Sequence, residues 1–279
     1  MRCLWRLLFV GGLSCAALWL GAPARSAAPA VTGIWALDMP TVVLGDPYGN
    51  QQTASGAARN VAAMLGDGIC GAQADGFTNP GSLASLLGAA DAAGGRFRVG
   101  YHLDLSVLRD QRESVPAMEQ AAVAATEAWC RLGALHSSAE RAPSGALVVW
   151  VYSPSEIGAD AWQWVRSQVA LDGYDVFWIG GDPATPAGWD ATWSFVAGHT
   201  SAIWTVMPQY TRPRMPVLDK LTPDGGRRLR QELAAVPKGR AVLIVSWNDT
   251  GDGTQVEGPL EVIVKAWSSG PTFPASASP

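Results

Sequence analysis

Short apolar runs alternate with helix-like stretches along most of this chain, and that alternation limits the folds open to it. Candidate strands fall at 33–38, 68–77, 96–104, 145–152, 174–180, 201–207 and 240–247, rich in Val, Ile, Trp and Tyr and bounded by turn residues. Between them, capping residues or apolar residues at helical spacing mark helices over 53–65, 82–93, 115–132, 159–171, 190–198 and 223–236. A helix between two strands returns the chain to the same end of the sheet, so repeating the unit builds parallel strands. The pattern predicts an α/β fold, a (β/α)8 TIM-like barrel. Seven strands are one short of closure; 261–266 (EVIVKA) is the candidate eighth, and without it the barrel is incomplete. A doubly wound open sheet competes, but no G-x-G-x-x-G or G-K-[ST] loop follows any strand, which weakens a nucleotide-binding version.

The 279 residues, 48 % of them hydrophobic, suffice for a sizeable core. A net charge of −4 without a basic cluster argues against nucleic acid or an anionic membrane as partner. The first residues read as a leader: Arg2 and Arg6 precede an uncharged, mainly apolar stretch over 7–22, and "APARSAAPA" offers small residues for cleavage. Sixteen residues fall short of the roughly 20 that span a bilayer, which favours cleavage over an anchor. The expected organisation is a signal peptide over 1–27, the barrel over 28–267 and a disordered tail over 268–279. That predicts a secreted or periplasmic protein with no membrane attachment after cleavage; an envelope protein tethered by an uncleaved leader is the rival.

Cleavage would remove Cys3 and Cys15 and leave Cys70 and Cys130, either as buried free thiols, the favoured reading, or as one disulfide. His102, His136 and His199 match no metal-ligand spacing, so neither a metal site nor a cofactor is expected.

Nearly every candidate strand ends in polar residues: Asp38, Asp75 with Asn79, Asp104, Ser153 with Glu156, Asp182, Gln209 with Tyr210, and Asn248 with Asp249. Barrel active sites are built on that face from the ends of several strands. Turn preferences alone put Asp and Asn at strand ends, and they account for about half of these positions. They account less well for "VSWNDTGDGTQVEG" at 245–258, where Asp249, Asp252 and Glu257 follow a buried-looking strand. Gly251 and Gly253 make this a loop, able to turn Asp249 and Asp252 into one cleft. Two nearby carboxylates acquire separated pKa values, one serving as acid and the other as base, which is the division of labour that glycosidic cleavage requires. A calcium loop is disfavoured because its twelfth position would be Pro259. Asn248-Asp249-Thr250 also reads formally as a glycosylation acceptor.

The run Trp247-Asn248-Asp249-x-x-Asp252-Gly253-Thr254-x-Val256-Glu257 resembles the signature shared by glycoside hydrolase families 71 and 99. "WND" and Gly251 resemble the α-1,3-glucanases of the first family, and "GTQVE" resembles the endo-α-mannosidases of the second. Weaker similarity covers 68–106, which includes Asp104, and "VMPQYTRP" at 206–213, which includes Tyr210. Both families are (β/α)8 barrels. The resemblance implies cleavage of an α-linked oligo- or polysaccharide by Asp252 as acid and Asp249 as base or base-assisting carboxylate. Trp247, Asn248, Glu257, Asp104 and Tyr210 become candidate sugar ligands.

Two departures mark this chain. Position 252 is Asp where the families carry Glu, which withdraws the carboxyl by about 1.5 Å, and the aromatic-rich entrance of family 99 is reduced to Tyr48 after the first strand. A non-catalytic carbohydrate-binding protein on the same scaffold is therefore the alternative reading. Of 13 tryptophans, most at strand positions should be core, with Trp247 the first candidate for a sugar platform.

Overall fold

The computed structural model describes residues 34–38, 53–75, 80–181, 188–194, 198–199, 203–206, 227–237 and 240–245. Strands are β1 Ile34–Asp38, β2 Gly71–Asp75, β3 Arg98–Asp104, β4 Leu147–Tyr152, β5 Val176–Gly181, β6 Ala191–Trp193, β7 Gly198–His199, β8 Ile203–Val206 and β9 Ala241–Ile244. Helices are α1 Ala54–Gly66, α2 Pro80–Ala92, α3 Ser106–Asp110, α4 Val115–Gly133, α5 Gly158–Leu171 and α6 Arg227–Ala234. Thr53 caps α1, accepting from the Gly56 amide at 3.1 Å, and Ser114 caps α4 just ahead of Pro116.

Among the described residues nine strands form one sheet in the order β6-β5-β4-β3-β2-β1-β9-β8-β7, and within it only β7 pairs antiparallel. The first strand lies between the second and the last, Trp35 pairing with both Gly71 and Leu243. That cyclic order belongs to a barrel. Its seam lies between β6 and β8, which approach within 8 Å between Cα atoms.

Alternation along each strand sends side chains to two different cores. On the outer face Val99, Leu103, Val149, Val151, Trp178 and Ile244 pack against helical residues such as Leu86, Met118 and Trp129. On the inner face Val148, Trp150, Ile179, Trp193, Ile203 and Leu243 form a second cluster. These inner residues come from β4–β6 and from β8–β9, which have three strands between them in the sheet order, so the sheet curls until its two ends share one interior. The fold is an α/β, TIM-like barrel.

The expected helix over 190–198 is corrected, because 191–193 is a strand and 198–199 forms a short hairpin with β8. Thr192 and Trp193 favour extended backbone, and the exposed edge of β5 offers a ladder that local spacing cannot reveal. Residues 261–266, the candidate eighth strand, lie outside the described residues, as do the expected leader and tail; among the described residues β6 is one of eight strands in parallel pairing. Cys70 and Cys130 are both thiols outside any disulfide; Cys130 is buried and Cys70 partly so. No helix among the described residues is long and apolar enough to cross a membrane.

At the N-terminal edge the connector between α4 and β4 folds back beneath the strands. Ala139 bridges to Val99, the Glu140 amide donates to the Val99 carbonyl at 2.8 Å, and the Glu140 carbonyl accepts from Val148 at 3.0 Å. Asp91 on α2 secures this connector, accepting from the Ser138 amide at 2.8 Å and the Ser137 hydroxyl at 3.0 Å while pairing with His136.

Candidate active site

Because β9, β1, β2, β3 and β4 are parallel, their C-terminal ends share one edge of the sheet. Asp38, Asp75 and Asp104 are the last residues of β1, β2 and β3 there. Of the residues proposed from sequence, only Asp104 is described. Trp247, Asn248, Asp249, Asp252 and Glu257, which follow β9, and Tyr210, which follows β8, lie outside the described residues.

Asp104 is held in a fixed orientation. Its Oδ1 accepts from the Ser106 amide at 2.8 Å and the Ser106 hydroxyl at 2.7 Å, an Asx-type turn that starts α3. Burial raises its pKa, opposed by the Ser106 bonds and by the Arg109 charge. Arg109 bridges the β3 and β4 ends, donating to Glu156 at 2.7 Å and pairing with Asp110 at 2.9 Å. Half-exposed Arg109 adds little stability through these pairs, but it ties two loops of the rim together. Ser153, just past β4, has φ 52° and ψ 49°, a left-handed backbone that costs a non-glycine residue energy and is found at functional sites. The buried Trp162 indole holds the following turn, donating to the Pro154 carbonyl at 2.7 Å.

Deeper on the inner face, Gln73 and His102 join the strand-end acids Asp75 and Asp104 in a polar patch. His102 pairs in register with Asp75 on one side and with Trp150 on the other. Gln73 pairs with Gly100, two residues below His102, so Gln73, Asp75, His102 and Asp104 face the barrel interior from two adjacent strands. His102 stacks on Tyr152 at 6.1 Å and meets the Trp193 ring edge-on at 5.9 Å. Burial drives its imidazole down to a pKa of about 3, so it is neutral at any ordinary pH. The Trp193 indole donates to the Val151 carbonyl at 3.2 Å and occupies the space above Gly181. A Cβ at Gly181 would stand 2.6 Å from that indole nitrogen, so only glycine fits.

The signal for this patch was present in the spacing. Gln73 with Asp75 and His102 with Asp104 are each two residues apart at a strand end, and period two puts each pair on one face. Polar groups beside aromatic rings, near a carboxylate of raised pKa, suit recognition of a neutral polyhydroxylated ligand. Among the described residues no three His, Cys, Asp or Glu gather as metal ligands would.

No protein-family model matches the chain, and no curated protein matches it in sequence. Solved structures do match in shape. An endo-α-mannosidase of glycoside hydrolase family 99 from Bacteroides thetaiotaomicron, in complex with BIS-TRIS-propane, aligns with TM-score 0.60 at 15 % identity, covering 80 % of this chain and 86 % of that one. A second structure of the Bacteroides thetaiotaomicron family 99 endo-α-mannosidase aligns with TM-score 0.57 at 13 % identity over the same shares. The chain thus has the barrel fold of the family 99 endo-α-mannosidases that its motif resembles.

Proposed function

We propose that this protein is a glycoside hydrolase that cleaves α-linked bonds in a polysaccharide of the α-mannan or α-glucan type. The observation that carries the reading is the coincidence of motif and fold. "WNDTGDGTQVE" begins three residues after β9, a strand whose C-terminal end opens on the edge that holds Asp75 and Asp104. The same barrel supports endo-α-mannosidases. In this reading Asp252 protonates the departing glycosidic oxygen and Asp249 acts as base or base-assisting carboxylate. Trp247, Asn248, Glu257, Asp104 and Tyr210 hold the sugar, and loss of residues 1–27 delivers the enzyme to the periplasm or exterior. A second reading, a carbohydrate-binding protein without turnover, is favoured by the shorter acid at position 252.

The test is turnover of α-mannan and α-1,3-glucan by wild type, Asp252→Asn, Asp249→Asn and Asp252→Glu. A general acid contributes about 10²- to 10⁴-fold, so Asp252→Asn should lose rate on that scale with little change in affinity. Asp252→Glu extends the reach and should retain or gain rate. Binding without turnover in wild type would select the second reading, and undiminished hydrolysis by Asp252→Asn would remove Asp252 from the mechanism.

A further inference from the structure

Gln73 and His102 lie on adjacent strands of the inner face and, like Thr205 on β8, carry buried polar atoms that lack a partner among the described residues. Gln73 is fully enclosed and His102 is 3 % exposed. Both amide atoms of Gln73, Nε2 and Oε1, and the Nδ1 of His102 have no hydrogen-bond partner among the described residues. Buried donors and acceptors are almost always paired, because an unpaired one forfeits its hydration without return. Three such atoms on neighbouring strands therefore point to a binding partner of matching chemistry.

That chemistry is narrow. Burial keeps the imidazole neutral, the amide is neutral, and Arg109, on the rim at that end of the barrel, is already engaged by Asp110 and Glu156. A neutral amide and a neutral imidazole bring no positive charge to offset the cost of burying a carboxylate, phosphate or sulfate beside them. A hydroxyl both donates and accepts, so it can bond the amide and the imidazole together. Tyr152 and Trp193 flank His102 with aromatic surface suited to the C–H face of a sugar ring.

We propose that Gln73 and His102 form a neutral hydroxyl-recognition pair that fixes one sugar hydroxyl of the substrate and excludes anionic sugars from that position. The assignment rests on the glycan-binding reading above and deepens it. Gln73 and His102 would be specificity residues, apart from the carboxylates that carry proton transfer.

The full chain should be titrated calorimetrically with α-linked mannotriose and glucotriose, and then with singly deoxygenated analogues of whichever binds. Gln73→Met keeps the side-chain length and removes both amide hydrogen-bonding atoms. It should weaken binding of the parent sugar about tenfold to a hundredfold, yet leave unchanged the binding of the one analogue that lacks the recognised hydroxyl. A purely structural Gln73 would weaken all analogues alike or none. If wild type binds a trisaccharide and Gln73→Met binds it equally well, the proposal fails while the glycan reading stands. If wild type binds neither sugar, both fail. Should Gln73→Met not fold, a crystal structure of wild type with the bound trisaccharide decides. A sugar oxygen within hydrogen-bond distance of the Gln73 amide and His102 Nδ1 is expected. A water or a protein side chain in that place overturns the assignment.

Discussion

Glu140 shows how one buried carboxyl can set the pH response of a whole barrel. It is 9 % exposed at the N-terminal edge, and burial pushes its pKa from 4.5 up to about 8, with Arg98 opposing only part of the shift. In the unfolded chain the same carboxyl titrates near its ordinary value. Between about pH 4.5 and pH 8 the folded protein keeps a proton that the unfolded chain has released, so stability falls as pH rises through that window. Glu140→Gln removes the proton and keeps the shape. Thermal melts should show the variant equal to wild type near pH 4. They should show it more stable at pH 8, by an amount on the order of a few kcal/mol. A variant less stable than wild type at pH 8 would mean that ionised Glu140 is stabilising where it sits.

At the scale of elements, the instructive case is β6 against β5. Trp193 closes the inner core by filling the space that Gly181 leaves, with Trp150 6.2 Å away edge-on. Gly181→Ala would put a methyl group against the indole and 2.8 Å from the Val151 carbonyl, which is backbone and cannot swing aside. Overpacking of this kind costs about 1–3 kcal/mol, visible as a lower unfolding midpoint. Trp193→Phe vacates volume at the same place, so the double variant should lose less than the sum of the single losses. Strict additivity would show that the two side chains do not share that space. The same pair explains why 191–193 runs as a strand: Trp193 reaches its pocket from β5's edge only when the backbone is extended.

For the molecule as a whole, closure of the chain depends on β9. It pairs with β1 on one side and β8 on the other, so it joins the first strand of the chain to the last ones. A chain ending at residue 236 would lose both ladders and uncover the two cores, and it should show no cooperative unfolding transition. A chain ending at residue 267 removes only the expected tail and should melt as the full chain does. Circular dichroism melts of both truncations test this, and a cooperative transition in the shorter one would show that the barrel holds without its last strand.

The sequence alone determined the fold class, most strand and helix positions and the existence of an acidic motif after the last apolar run. Those features are local: period two and period 3.6 are written in the spacing of neighbours, and so are a capping Thr53 or a Gly-flanked acid loop. Asp104 was legible because it ends a strand. Period two already sets Gln73 with Asp75 and His102 with Asp104 on one face of each strand, but only register brings the two pairs together on adjacent strands facing inward. The strand at 191–193 is hidden from local spacing for the same reason. Its partner Val151 lies 42 residues away, and only the curling of the sheet brings the indole and that carbonyl together. Glu140 likewise looks like an ordinary connector acid until the chain folds it under β3 and β4. Local spacing chose the elements; burial and register, which exist only once distant strands meet, decided which polar groups lie inside the barrel.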